Sequence, residues 1–104
     1  MRRGEVWWAE LPHPAGRRPV VLLSRNEAYA VRQLLIVSPV TTRVRSIPTE
    51  VALGPDDGLP KACVVNLDTI TTIPKAALVQ PVGALAAGKL GAVDRALRFA
   101  LGLD

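Results

Sequence analysis

The sequence predicts an α+β fold, a small, strongly bent antiparallel sheet forming an SH3-like or partly open barrel with a helix at the C-terminal end. Three observations predict it. Short apolar runs bounded by glycine and proline recur from residue 5 to residue 73, as in sheets of short strands. Apolar residues make up 49% of the 104 residues but aromatics only 4%, so the core must come from Val, Leu, Ile and Ala. The one stretch with a clear helical period lies at the C-terminal end.

The elements follow in order. Residues 5–11, EVWWAEL, are β-prone and lie between Gly4 and Pro12; HPAGRR then supplies turn residues. PVVLLS, residues 19–24, is a continuous apolar run suited to a strand covered on both faces. RNEAYAVRQ crosses to LLIVSPV, residues 34–40, where Pro39 predicts a break or bulge. TTRVRS reads as a polar loop, IPTEVAL as a fourth strand, GPDDGLP as a dense turn, and ACVVNLDTITTI as one or two further strands. From Ala86 onward, Leu90, Val93, Leu97 and Leu101 recur at helical spacing, with Lys89, Asp94, Arg95 and Arg98 elsewhere on the wheel. Gly88 and Gly91 weaken this helix, so packing must hold it. The whole chain, residues 1–104, is expected to be one domain.

Thirteen Lys and Arg against nine Asp and Glu give a net charge of +4 and a pI near 10.0. Such a field raises the local concentration of polyanions and favours nucleic acid as partner. The single cysteine, Cys63, sits in the apolar run KACVVNL and reads as a small buried hydrophobe. One thiol suits a reducing compartment, the N-terminus lacks the apolar core of a signal peptide, and no apolar stretch approaches a membrane span. The expectation is a cytoplasmic protein.

Phosphate-binding glycine loops, paired Cys-x-x-Cys ligands, the His-Glu-x-x-His zinc motif and the Gly-x-Ser-x-Gly nucleophile turn are all missing from the sequence. Nucleotide cofactors and a zinc centre are therefore not expected, and no metal ligand is assigned. Asp56 and Asp57, the only adjacent carboxylates, lie in a Gly/Pro turn where Asp commonly binds backbone N–H groups.

Two loops carry groups suited to phosphate. Arg17 and Arg18 precede Pro19 at the foot of the second strand, and Thr41, Thr42, Arg43 and Arg45 follow the third. A guanidinium offers a planar fork of donors and a threonine a rotatable hydroxyl, which together match phosphoryl oxygens that gain charge in a transition state. On composition alone, a solvated turn explains the same residues.

Four segments in order narrow the choice: RGEVWWAEL, RRPVVLLS, VTTRVRSIPTEV and CVVNLDTI. In this order they resemble the MazF/PemK toxins of type II toxin–antitoxin systems, whose pattern has a G-[DE]-[VI]-[WY] start, an R-P-[VA]-[VL]-[VL] second strand, a threonine pair ending the third, and a C-terminal helix. The resemblance covers essentially the whole chain, with a short first loop, PHPAGR, as the main departure. It implies a homodimer of barrel-like subunits acting as a sequence-specific, metal-independent endoribonuclease. Such an enzyme cuts single-stranded RNA to a 2′,3′-cyclic phosphate and a 5′-hydroxyl. It implies an antitoxin partner with a disordered C-terminal segment, no cofactor and no membrane.

The resemblance also assigns residues. The catalytic arginine before the strand-starting proline matches Arg18, and the catalytic threonine matches Thr41, with Thr42 the neighbouring candidate. His13, five residues before Arg18, is the only imidazole and a candidate for catalytic support. Arg17, Arg43, Arg45, Asn66, Asp68 and Thr69 are the candidate RNA contacts. The alternative is a non-catalytic binding module of the same fold, either gyrase-directed or retained for RNA or antitoxin binding, in which Arg18 and Thr41 serve recognition only.

Overall fold

The computed structural model describes residues 1–103. Its strands are β1 (Glu5–Glu10), β2 (Arg17–Leu22), β3 (Leu34–Thr41), β4 (Glu50–Leu53), β5 (Cys63–Asn66), β6 (Thr71–Pro74) and β7 (Leu78–Ala84). A one-turn helix, α1 (Ala28–Val31), joins β2 to β3, and α2 (Ala87–Leu101) closes the chain. The strands form one antiparallel sheet in the order β4-β5-β3-β2-β1-β7, with β6 also on β3. Its end strands β4 and β7 do not pair with each other, so the barrel stays open.

Alternation along the central strands builds two cores, one on each face of the sheet. Val21 of β2 packs with Val6, Val65, Leu67 and Val93 of α2, whereas its neighbours Val20 and Leu22 pack with Leu35, Val37 and Tyr29. Each fully buried Val or Leu contributes roughly 1.5–3 kcal/mol. Because β2 lies between β1 and β3 and is covered on both faces, its apolar run is continuous, as the sequence predicts.

Pro39 does not break β3. Val20, Val21 and Leu22 pair in unbroken register with Pro39, Ser38 and Val37. The change occurs on the opposite edge, where β3 pairs with β6 over Leu34–Val37 and with β5 over Val40 and Thr41. Pro39, which has no N–H to donate, stands at that handover.

β7 lies where no strand was expected. Its sequence, LVQPVGA, contains Pro81 and Gly83; it is tolerated because β7 pairs only with β1, with two register shifts. The helical stripe also needs one correction: Val93 and Ala96 are buried, while Leu101 is 51% exposed. Among the described residues, no helix is long and apolar enough to cross a membrane.

Candidate active site

The register of β2 against β3 brings the start of one strand beside the end of the other, and with them Arg18 beside Thr41. The two line one cleft of roughly 230 Å³ together with Arg43, Arg45, Asn66 and Thr69. Arg18 from one segment, Thr41, Arg43 and Arg45 from a second, and Asn66 and Thr69 from a third thus converge. Pro39, assigned no role from the sequence, forms part of the floor.

Each donor is held by its local structure. Arg18 is half-buried, and its Nε donates to the carbonyl of Ala15 at 3.3 Å, which leaves the terminal nitrogens of its fork for a ligand. The Thr41 hydroxyl oxygen accepts the backbone N–H of Arg43 at 3.1 Å. With that oxygen engaged as acceptor, the hydroxyl proton is available to an anionic oxygen.

Asn66 is buried, 5% exposed, and pinned from three sides. Its Oδ1 accepts the backbone N–H of Asp68 at 2.9 Å. Its own carbonyl accepts hydroxyl hydrogen bonds from Ser38 and from Thr69, the latter at 3.2 Å. Asn66 lines the cleft, and with Oδ1 committed its side-chain NH₂ group remains a donor. A preset donor reorganises little when charge develops beside it.

Other candidates stand outside this cleft. Arg17 points to the opposite face of β2, where it pairs with Glu10 at 2.9 Å and lies 5.2 Å from the centroid of the Trp8 ring. Thr42 lines a neighbouring apolar recess with Trp8, Pro19, Leu59 and Cys63, a recess that shares only Thr41 with the cleft. Asp68 accepts the Thr49 hydroxyl at 2.6 Å and so supports the turn behind Asn66. His13 is exposed in the β1–β2 loop and does not line the cleft.

Glu50, a cleft neighbour that sequence reasoning passed over, accepts the backbone N–H groups of Arg45 at 2.9 Å and Ser46 at 3.0 Å. Its contacts are local in sequence, but no motif marks it, and the pairing of β4 with β5 sets it opposite Asn66. Cys63 is buried; desolvation foremost, and then the charge of Asp57, pushes its thiol up. That environment suits a packing residue and opposes a nucleophile. Among the described residues, no group of three or more His, Cys, Asp or Glu side chains converges as metal ligands would. The arrangement is a basic, donor-rich pocket.

Comparison with known proteins gives concordant results. The family model for PemK-like, MazF-like toxins of type II toxin–antitoxin systems matches residues 2–101. The chain is 42% identical over 100 residues to a probable endoribonuclease MazF5 of Mycobacterium tuberculosis, covering 95% of this chain and 91% of that one. Among solved structures it superposes on the Mycobacterium tuberculosis toxin MazF-mt6 with TM-score 0.89, at 33% identity, covering 96% of this chain and 98% of that one. It also superposes with TM-score 0.89 on a mycobacterial endoribonuclease in complex with its cognate antitoxin, at 33% identity, covering 100% and 97% of the two chains.

Proposed function

Because the chain belongs to the PemK-like, MazF-like toxins of type II toxin–antitoxin systems, we propose that it is an endoribonuclease toxin that cuts single-stranded RNA at a short sequence without a metal. The observation that carries the reading is the convergence of Arg18, Thr41, Arg43, Arg45 and Asn66 in one cleft.

The reaction is an internal transesterification. The ribose 2′-oxygen bonds to phosphorus as the bond to the 5′-oxygen breaks, leaving a 2′,3′-cyclic phosphate and a 5′-hydroxyl. The 2′-hydroxyl proton passes to solvent water, Arg18 gives one to the 5′-oxygen, and the guanidinium recovers its proton from solvent, so the protons balance. Arg18 clamps the non-bridging oxygens of the pentavalent state and stands as proton donor to the leaving oxygen. A guanidinium stays protonated at pH 7, so it is cast as clamp and acid rather than base. Thr41 donates to a second oxygen. Arg43 and Arg45 hold flanking phosphates, while Asn66 and Thr69 contact the nucleotide at the cleft wall. Arg17, beside Trp8 on the opposite face, and Asp68, bonded to Thr49, stand outside the cleft. The positive charge of Arg18 at the reacting phosphate, with Arg43 and Arg45 on its neighbours, serves the role a metal would otherwise have.

The reading extends to partners. The whole chain works as one toxin domain, two copies form a homodimer, and an antitoxin covers the basic cleft with an extended acidic segment. The solved mycobacterial endoribonuclease in complex with its cognate antitoxin supports an antitoxin partner by analogy.

The test is cleavage of a mixed-sequence single-stranded RNA in EDTA, with the new 5′-hydroxyl ends mapped. The wild type is expected to cut at one short motif. Arg18→Ala and Thr41→Ala, folded and of unchanged assembly state, are each expected to lose about 10²–10³ in rate, the usual cost of one transition-state donor. RNA binding without cleavage by the wild type would move the assignment to a non-catalytic binding module.

A further inference from the structure

We propose that Glu50 is a positioning residue of the cleft, whose carboxylate fixes the arginine-bearing segment 43–46 in its RNA-binding shape; the proposal rests on the endoribonuclease reading. Between the end of β3 and Thr49 the chain has no regular structure, yet it must present Arg43 and Arg45 to the cleft. Two side chains tie it down. The Thr41 hydroxyl oxygen accepts the N–H of Arg43, and Glu50 Oε1 accepts the N–H groups of both Arg45 and Ser46. Glu50 N itself donates to the carbonyl of Ile47 at 3.0 Å, closing the turn.

The backbone at this point does not hold itself. Ser46 has φ 56, the left-handed region that a residue other than glycine occupies only when its surroundings impose it. The imposing group is the Glu50 carboxylate, a charged acceptor bound to two adjacent N–H groups and therefore stronger than a neutral one. Glu50 lies opposite Asn66 across the β4–β5 ladder, so its side chain leaves the same face of the sheet as the Asn66 amide.

Glu50 Oε2 is buried and has no hydrogen-bond partner, an arrangement that costs stability. A carboxylate retained at such a cost beside a phosphate cleft also repels the polyanion. Charge alone therefore predicts that removing Glu50 tightens RNA binding, whereas loop positioning predicts that removal weakens it, because RNA must then order the freed segment. The sign of the effect separates the two.

The experiment measures binding of a 2′-O-methylated single-stranded RNA, which lacks the attacking hydroxyl, across a salt series, alongside cleavage of the unmodified RNA. Glu50→Asp keeps the charge but is one methylene too short to reach both N–H groups. Glu50→Gln keeps the acceptor and loses the charge. We expect Glu50→Asp and Glu50→Ala to weaken binding by about tenfold. The slope of log affinity against log salt should flatten by about 0.7 for each arginine–phosphate contact released. Glu50→Gln should stay within about threefold of wild type, with kcat changing less than KM in every variant. A general loss of stability would leave the salt slope of the folded fraction unchanged. Folded Glu50→Asp binding like wild type, folded Glu50→Ala binding RNA more tightly than wild type, or folded Glu50→Gln departing from wild type by more than about threefold, would overturn the proposal while leaving the endoribonuclease reading intact. A wild-type chain that neither binds nor cuts RNA would overturn both. Should Glu50→Ala not fold, the Asp and Gln variants decide alone.

Discussion

Tyr29 shows how one side chain ties the short crossover to the sheet. Its ring is buried, 4% exposed, and its hydroxyl donates to the carbonyl of Ser24 at 2.8 Å, while the Ser24 hydroxyl oxygen accepts the N–H of Ile36. Tyr29→Phe leaves that carbonyl without its partner and is expected to cost about 1–3 kcal/mol in urea unfolding. The phenol is pushed up from 10.0 to about 12, chiefly by desolvation, with Arg3 opposing and Glu5 adding to the shift. Between those values the unfolded chain releases the proton and the folded chain keeps it, so stability falls as pH rises from 10 to about 12. Tyr29→Phe should remove that part of the slope. None of this was legible beforehand, since RNEAYAVRQ reads only as a crossover. The core side of the pattern was legible: Cys63 lies in an apolar run and is buried as that run requires.

At the scale of elements, the glycine of the first motif has a mechanical reason. Gly4 has φ +90, and a Cβ there would come within 3.0 Å of Leu90 on α2, so β1 and the C-terminal helix approach through this residue. The helix itself is held by packing rather than propensity. Val93 is fully buried, and Val93→Ala should cost about 2–3 kcal/mol by deleting two methyl groups and leaving a cavity. Gly88 has open space around its Cβ position. Gly88→Ala should therefore stabilise by about 0.5–1 kcal/mol, and thermal unfolding of the two variants checks both signs. Strands with continuous apolar runs, such as β2 and β3, were plain from the sequence. β7 was not, because Pro81 and Gly83 interrupt its pattern and its only support is β1, more than seventy residues earlier in the chain. Pro39 misled for a related reason: the local rule marks a missing donor, while the partner exchange from β6 to β5 decides what that absence does.

For the whole molecule, the net charge of +4 becomes specific only where the fold concentrates it. Arg18, Arg43 and Arg45 share the cleft, while Arg3 is paired with Asp94 and Arg17 with Glu10. The sequence singled out the cleft's arginines and threonines through the order of four short motifs, but their convergence needed the β2–β3 and β4–β5 registers. The same registers take Thr42 and Arg17 elsewhere and bring in Glu50. In the proposed reaction this one cleft seats the scissile phosphate. That placement is tested most directly by following backbone and side-chain amide NMR signals of the wild type during titration with a 2′-O-methylated RNA containing the cut motif. The largest shifts are expected on Arg18, Thr41, Arg43, Arg45, Asn66 and Thr69, including the Asn66 side-chain NH₂ pair. Shifts centred on another basic surface, such as Arg25 and Arg32, with those signals unmoved, would contradict it.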